Sequence, residues 1–401
     1  MRTLPTRYLG AQPGFDACVE LRIGDVGRVW QIRCTETAAR LLPGAADPRP
    51  DVVITTDAAT WLAVRAGELS GVDAFNVRRL TAVGRIDVAL AFEGLFALPD
   101  GREPLMRLRD VPLSRGRTIS TLTVGEGSDV VLIHGLGSAK TSFLDSVGPL
   151  VAAGHRVHVI DLPGFGSSRA PLFAPCTAAW FAQGVMEWMD QVGIRRAHLV
   201  GNSMGGRIAI EIALRKPQRV RSLVLLAPAV AFVKRGLHPV VRLLRPELSL
   251  LPHSLRRSIV ASQLGGLFAD PDALDPAMAD VAVDEFQRVY ETSASRLAFM
   301  ASARNIYLDR PFGRGGFYPR LAGLQVPALF VWGDRDELIP AGFARHVRRW
   351  LPGAEQVVLE GCGHVPQIER PAEVVALIGR VAAQAEAIEA GRPLGRPQAV
   401  A

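Results

Sequence analysis

From Asp129 onward the sequence alternates short apolar runs with longer amphipathic stretches, and this alternation restricts the fold more than any other feature. The runs DVVLIHG, RVHVIDLPG, AHLVGNS, SLVLLAP, ALFVWGD and QVVLEGCGH are rich in Val, Leu and Ile and are closed by Gly, Pro, Asp or Asn. Continuous apolar runs of this length read as strands buried on both faces. Between them, TAAWFAQGVMEWMDQVG and MGGRIAIEIALRKP carry a helical period. Strands alternating with helices predict an α/β domain, a parallel sheet covered by helices. Just upstream, LMRLRDVPLSRGRTISTLTVGEG alternates with period two around SRG and predicts an antiparallel hairpin at the sheet edge.

Two regions break the rhythm. Close to a hundred residues, helical in pattern and repeatedly interrupted by proline, separate the strand ending near Pro228 from the one beginning near Val326. That is too long for an ordinary connection, so residues 230–325 are expected to form an inserted helical cap. In the first hundred residues, DACVELRIG and RVWQIRC read as paired strands and DVVITT as another. DAATWLAVRAGEL then reads as a helix opened by Asp57, and RLTAVGRIDVALAFEGLF as a strand running into a helix. The expected organisation is a small α+β domain over 1–98, a linker PDGREP at 99–104, a larger domain over 105–386 and a flexible tail from 387 to 401.

Composition removes several function classes. The net charge of +7 comes from 46 basic and 39 acidic residues, with lysine only at Lys140, Lys216 and Lys234. A nucleic-acid binder would concentrate its basic residues in a stripe with interleaved aromatics. The nearest approach is Lys234, Arg235, Arg242, Arg245, Arg256 and Arg257 against Glu247, with few aromatics among them. A solvated helix face is the expected role, with no nucleic-acid partner; contact with an anionic membrane surface is the alternative. Cys18, Cys34, Cys176 and Cys362 lack metal-ligand spacing and suit a reducing compartment, so the cytoplasm is expected. The opening MRTLPTRYLG has no apolar targeting core, and the longest apolar run, LVLLAPAVAFV, is well short of the roughly 18 residues a span requires.

The chemistry centres on LVGNSMGGRIAIEIAL, Leu199 to Leu214. Here Ser203 stands between a strand-like run and a helix-like one, with Gly201 and Gly205 two positions to either side. Such a turn presents a hydroxyl on a crowded backbone with no room for neighbouring side chains. A serine is a weak nucleophile without a base, a group to orient that base, and donors for the oxyanion. EGCGHVPQIERP offers His364 after the last strand, and VWGDRDELIP offers Asp334 and Asp336, giving the order serine, acid, histidine. The backbone N–H of Met204 is one expected oxyanion donor. The other is Leu136 in VLIHGLGSAK, where His134 and Gly135 let the chain turn tightly. His134 is not needed as a base, since His364 fills that role.

These motifs, with DLPGFGSS at Asp161 to Ser168, resemble the α/β-hydrolase superfamily over Leu105 to Gln384. The resemblance implies a mostly parallel eight-stranded sheet. It also implies Asp336 as the orienting acid, since related sequences place that acid after glycine and two further residues, and leaves Asp334 as a turn residue. The elbow spelling GNSMGG is similar to that of carbon–carbon bond hydrolases of ring-cleavage products. Those proteins carry a Ser-Gly-Pro-Gly loop and a tryptophan after the catalytic histidine, where this sequence has GLGSAK and Val365. The departure favours esterases and lipases, and Ser203 argues against the dehalogenases and epoxide hydrolases that use aspartate there. Residues 17–98 resemble the type-2 sterol carrier protein family through PDVVITTDAATWLAVRAGELSGVDAFNVRRLTAVGRIDVALAFEGLF. That family encloses an apolar tunnel; here the first helix is shortened.

The expected activity is hydrolysis of carboxylic esters with apolar or lipid acyl groups through an acyl-enzyme on Ser203, with neither metal nor organic cofactor. Carbon–carbon bond hydrolysis, acyl transfer, and lipid binding without catalysis are the alternatives; oligomeric state is left open.

Overall fold

In a computed structural model of the protein, the described residues are 3–43, 49–232, 245–250, 256–273, 276–288 and 291–391. They group into two compact units. One runs to Asp110 and includes Ser120–Gly127 and Val147–His158; the other comprises Val111–Ile119, Ser128–Ser146 and the chain from Val159 onward. The first unit extends past the expected boundary at Leu98 because compactness follows neighbours in space, whereas composition follows chain order. The expected linker 99–104 forms a turn in which the Leu98 N–H bonds to the Arg102 carbonyl at 2.9 Å.

The first unit contains a five-stranded sheet. Its strands are β1 (Asp16–Ile23), β2 (Arg28–Thr35), β3 (Ala39–Leu42), β4 (Val52–Thr56) and β5 (Leu80–Gly84), in the order β3-β2-β1-β4-β5. β1 occupies the middle, antiparallel to β2 and parallel to β4. Its central position explains the unbroken burial of Ala17 to Leu21, whereas β4 alternates buried and half-buried residues. Helices α1 (Ala58–Ala66) and α3 (Ile86–Gly94) follow the expected pattern, and a short helix α2 (Gly71–Asn76) that the sequence did not lead us to expect lies between them. Asp57 caps α1 as expected by accepting the Thr60 N–H at 2.7 Å. Val88, Phe92 and Phe96 bury one side of α3 and its exit against Val19, Leu21 and Ile54.

The larger sheet has eight strands. Continuing in chain order, they are β6 (Met106–Pro112), β7 (Thr118–Val124), β8 (Ser128–Ile133), β9 (His155–Ile160), β10 (Ala197–Asn202), β11 (Val220–Leu226), β12 (Ala328–Gly333) and β13 (Glu355–Leu359). Their order is β13-β12-β11-β10-β8-β9-β7-β6, which places the expected hairpin strands β6 and β7 side by side at one end. β8, β10, β11, β12 and β13 pair in parallel. Every residue of β10 is buried, the two-sided cover that its apolar run predicted. The cover includes α4 (Leu144–Ala152), α5 (Ala178–Gln191) and α6 (Met204–Arg215). Phe181, Val185, Trp188 and Met189 of α5 recur at helical spacing and are fully buried, each contributing about 1.5–3 kcal/mol of apolar transfer.

Between β11 and β12, where the cap is expected, the described residues form α7 (Arg257–Gly265), α8 (Pro276–Arg288), α9 (Ser293–Leu308) and α10 (Phe317–Leu321), with short 3₁₀ turns. The chain then adds α11 (Ala344–Trp350), α12 (Pro366–Glu369) and α13 (Pro371–Glu389). The last helix continues to Glu389, beyond the residue 387 where a flexible tail was expected; residues 392–401 lie outside the described set.

The site is located by topology. From β8 the chain steps to β9 on one side and returns to β10 on the other, so the connections leaving β8 and β10 diverge between neighbouring strands. Crevices at such switch points, beyond the carboxyl ends of the strands, are where open α/β sheets bind ligands. The loop with Gly135 follows β8, and Ser203 follows β10.

Candidate active site

Ser203 occupies a backbone conformation that few side-chain-bearing residues adopt, with φ 52° and ψ −113°. Two glycines make the turn sterically possible. A Cβ on Gly201 would lie 2.4 Å from Gly205 C, and one on Gly205 would lie 2.1 Å from the Ile133 carbonyl oxygen. The elbow thus packs its own backbone against β8, as the glycine spacing predicted. Immediately after it, Met204 opens α6 with an amide that lacks an intrahelical acceptor. Among the described residues neither the Met204 nor the Leu136 amide meets a hydrogen-bond acceptor.

The loop after β8 is held from both ends. His134 is fully buried; its Nδ1 faces the Gly135 carbonyl at 2.7 Å, while its Nε2 accepts the Leu162 N–H at 2.9 Å. Those bonds define a neutral imidazole protonated on Nδ1, and burial lowers its pKa. His134 therefore braces the loop. At the loop's far end Asp161 accepts the Lys140 N–H at 2.7 Å and pairs with its ammonium, both side chains being buried. The same carboxylate accepts the Ser167 N–H at 2.8 Å. Gly135 lies against Ser203: a Cβ there would stand 3.3 Å from Ser203 Cβ.

Of the two acids after β12, the structure brings Asp336 to the histidine. His364 Nδ1 lies 2.8 Å from Asp336 Oδ2, and both side chains are buried. Asp336 Oδ1 accepts the N–H groups of Leu338 and Ile339 at 2.9 and 2.8 Å. Asp334 instead accepts the N–H of Cys362, 28 positions further along the chain, at 3.1 Å. His364 and Ser203 line one cavity of about 530 Å³ together with Gly135 and Leu136. Its walls include Leu264, Leu267 and Phe268 after and within α7, Phe286 of α8, and Phe299 and Tyr307 of α9. The cavity is thus mainly apolar, and the cap supplies much of its lining.

Asn202 was not singled out in the sequence beyond its place in the elbow motif. Its Nδ2 donates to the carbonyls of His364 at 3.0 Å and Leu226 at 3.2 Å, tying the Ser203 turn and the His364 loop together. Only the identity of the residue before Ser203, a short side chain with two donors, hinted at this. Glu369 was missed too: its carboxylate accepts the N–H groups of Gly363 at 2.9 Å and Ala269 at 2.8 Å. Among the other histidines, His158 bonds to Thr123 and His198 to Ser222, and His346 lies outside the cavity lining. His155 is also buried, while His238 and His253 lie outside the described residues.

Comparison with known proteins decides the family. The description "alpha/beta hydrolase fold" matches residues 130–371, more than half of the sequence. The chain belongs to the α/β-hydrolase family. The hydrolase also matches the SCP-2 sterol transfer family over residues 8–97. It is 31% identical over 260 residues to a 2-hydroxy-6-oxononadienedioate/2-hydroxy-6-oxononatrienedioate hydrolase of Pseudomonas putida, covering 61% of this chain and 85% of that protein. It is 34% identical to the dihydrolipoyllysine-residue acetyltransferase component of the acetoin cleaving system of Cupriavidus necator, over 63% of each. A pimeloyl-[acyl-carrier protein] methyl ester esterase of Aeromonas hydrophila is 27% identical over 65% of this chain and 98% of its own. Among solved structures, a bacterial membrane phospholipase A superposes with a TM-score of 0.60 at 26% identity, covering 82% of this chain and 97% of that one.

The expectations for the basic cap residues and the cysteines meet the structure here. Of the basic cap residues, Lys234, Arg235 and Arg242 lie outside the described set. Arg245 and Arg256 are exposed, but Arg257 is held by Asp280 and Asp284. All four cysteines are buried and none is in a disulfide, and no described helix is long and apolar enough to cross a membrane. Among the described residues no cluster of His, Cys, Asp and Glu is arranged to hold a metal ion.

Proposed function

We propose that this α/β hydrolase cleaves carboxylic esters of apolar or lipid acyl groups, with Ser203, His364 and Asp336 as its catalytic residues. The observation that carries the reading is the shared cavity: Ser203 and His364 open into about 530 Å³ of mainly apolar space while Asp336 holds His364 Nδ1 from behind. With Nδ1–H committed to a carboxylate, Nε2 is the free base. It takes the Ser203 proton as Oγ attacks the ester carbonyl, returns it to the leaving alcohol, and then activates water against the acyl-enzyme. The Met204 and Leu136 amides receive the oxyanion, each donor contributing about 3–4 kcal/mol to the transition state. The likeness to a membrane phospholipase A and to a methyl ester esterase supports an ester substrate.

For the first unit we propose binding of apolar acyl compounds. The SCP-2 match supports this, as does a cavity of about 490 Å³ lined by Leu4, Trp61, Leu62 and Pro99 with Arg7 and Arg65.

The test is a series of nitrophenyl esters of rising chain length, with a fluorophosphonate to label the nucleophile. Turnover that rises with chain length and vanishes with labelling in Ser203→Ala supports the reading. Labelling that survives in Ser203→Ala overturns it. Carbon–carbon bond hydrolysis is the second reading, favoured by the identity to the Pseudomonas putida hydrolase. Preference for a ring-cleavage dienoate over every ester would select it.

A further inference from the structure

A second cavity, of about 410 Å³, lies beside the first, sharing the walls formed by Ala229 and Ile306; Met204, the residue after the nucleophile, also lines it. Its charge is unbalanced. Arg207, Arg215, Arg304, Arg310 and Arg320 line it against two carboxylates, Glu211 and Asp309. Arg207 Nη1 pairs with Asp309 at 2.6 Å, and Glu211 holds Arg215 at 2.7 Å and Arg320 at 3.0 Å. That engages both acids with three of the arginines. Among the described residues, Arg304 and Arg310 have no ion-pair partner.

The unmet hydrogen-bonding capacity points the same way. The Nε atoms of Arg207, Arg304 and Arg320 are buried without an acceptor. Arg207 is only 6% exposed, so its charge sits away from water with part of its donor fork unused. The Asn305 carboxamide does not help, since its Nδ2 is spent on the Pro175 and Cys176 carbonyls. Ala178 and Ala179, the first residues of the 14-residue helix α5, also line the cavity, so the positive end of that helix adds to the same field. The network leaves a surplus of cations around an open space.

We propose that this cavity is an anion-binding site taking a phosphate or carboxylate group. Guanidinium forks match both groups in shape and offer paired donors. The shared walls put the anion one residue layer from the acyl cavity. Two sources satisfy the chemistry: an anionic group carried on the ester itself, or a free anion acting on the elbow helix through Arg207. The second source does not depend on the proposed ester substrate.

The test uses the full-length protein. Inorganic phosphate is titrated by calorimetry at constant ionic strength against the wild type and the Arg304→Gln/Arg310→Gln variant. The expected result is saturable binding that weakens at least about tenfold in the variant while the unfolding temperature stays the same. Absence of saturable binding, or binding indifferent to the two substitutions, overturns the proposal. A kinetic arm separates the sources. If the anion belongs to the substrate, phosphate raises KM for an ester bearing a terminal phosphate and leaves a neutral nitrophenyl ester unaffected. If it is an effector, phosphate changes kcat for the neutral ester. Phosphate that binds yet alters neither ester's kinetics is an adventitious ion only and overturns the site's functional role. Failure of every ester to react overturns the proposed function, while the calorimetry still decides the site.

Discussion

Replacing Asp336 by asparagine tests the acid through a consequence of its hydrogen bonds. Oδ1 accepts two backbone N–H groups, from Leu338 and Ile339, and Oδ2 faces His364 Nδ1 at 2.8 Å. In Asp336→Asn the two N–H donors fix the amide oxygen in the Oδ1 position, so the NH₂ must point at the imidazole. Nδ1 then becomes an acceptor, the ring proton moves to Nε2, and the base presents N–H to Ser203 where it needs a lone pair. Loss of the correct tautomer in such triads costs about 10⁴ in kcat, or about 5.5 kcal/mol. Asp334→Asn is the control: its carbonyl oxygen still accepts the Cys362 N–H, so kcat is expected to stay within about threefold, in line with ordinary surface substitutions of less than about 0.5 kcal/mol. The assay is steady-state hydrolysis of a short nitrophenyl ester, with thermal unfolding to confirm that both variants fold. An Asp336→Asn enzyme within tenfold of wild type, or a larger loss in Asp334→Asn, refutes the tautomer argument.

Other expectations follow from the same geometry. Gly205→Ala puts a Cβ 2.1 Å from the Ile133 carbonyl and is expected to cost about 3 kcal/mol of stability, read from the urea midpoint; an unchanged midpoint contradicts the close packing. Burial raises the Glu93 pKa from 4.5 to about 7, despite the Gly71 N–H that the carboxylate accepts. The folded state therefore holds this proton more tightly than the unfolded one. The contribution of Glu93 to stability is fully present below pH 4.5 and declines by about 3 kcal/mol as pH rises to 7. Glu93→Gln should abolish that fall locally, as measured by hydrogen exchange in α2 and α3 at pH 5 and pH 8; equal pH dependence in both proteins counts against it. Leu264→Trp fills part of the cavity lining and is expected to lower the ratio of long-chain to acetate turnover at least about tenfold, a difference of about 1.4 kcal/mol in transition-state binding. Equal losses on both esters would mean that Leu264 does not line the acyl path.

The strands that build the site were legible because each is an unbroken apolar run ended by a residue that cannot continue it, as in AHLVGNS and ALFVWGD. A two-sided burial requirement writes itself directly into composition. The elbow was legible for a steric reason: only glycine fits where Gly205 meets the Ile133 carbonyl. The choice of Asp336 over Asp334 was not readable from residue type, because both are aspartates two positions apart. It depends on which carboxylate the turn aims at His364. Asn202, Glu369 and the Lys140–Asp161 pair escaped for a related reason. They hold the site through backbone amides and carbonyls or, for Lys140 and Asp161, also through an ion pair between residues 21 positions apart, and neither leaves a local mark in a sequence. The surplus of arginine around Arg207 was equally hidden, since its members are dispersed from 207 to 320 and meet only in the fold.

The seam formed by Glu369 bears on how such enzymes can be recombined. One carboxylate clasps Gly363 beside the histidine and Ala269 of the cap, while the His364 N–H bonds to the Leu267 carbonyl at 2.7 Å. A Cβ on Gly363 would lie 2.5 Å from that same carbonyl. The strip Leu267–Ala269 therefore behaves as part of the mounting of His364 even though it belongs to the insertion. A graft that exchanges the whole insertion for a relative's would import new selectivity and dislodge the imidazole together. One whose junction leaves Leu267 to Ala269 in place would transplant selectivity alone.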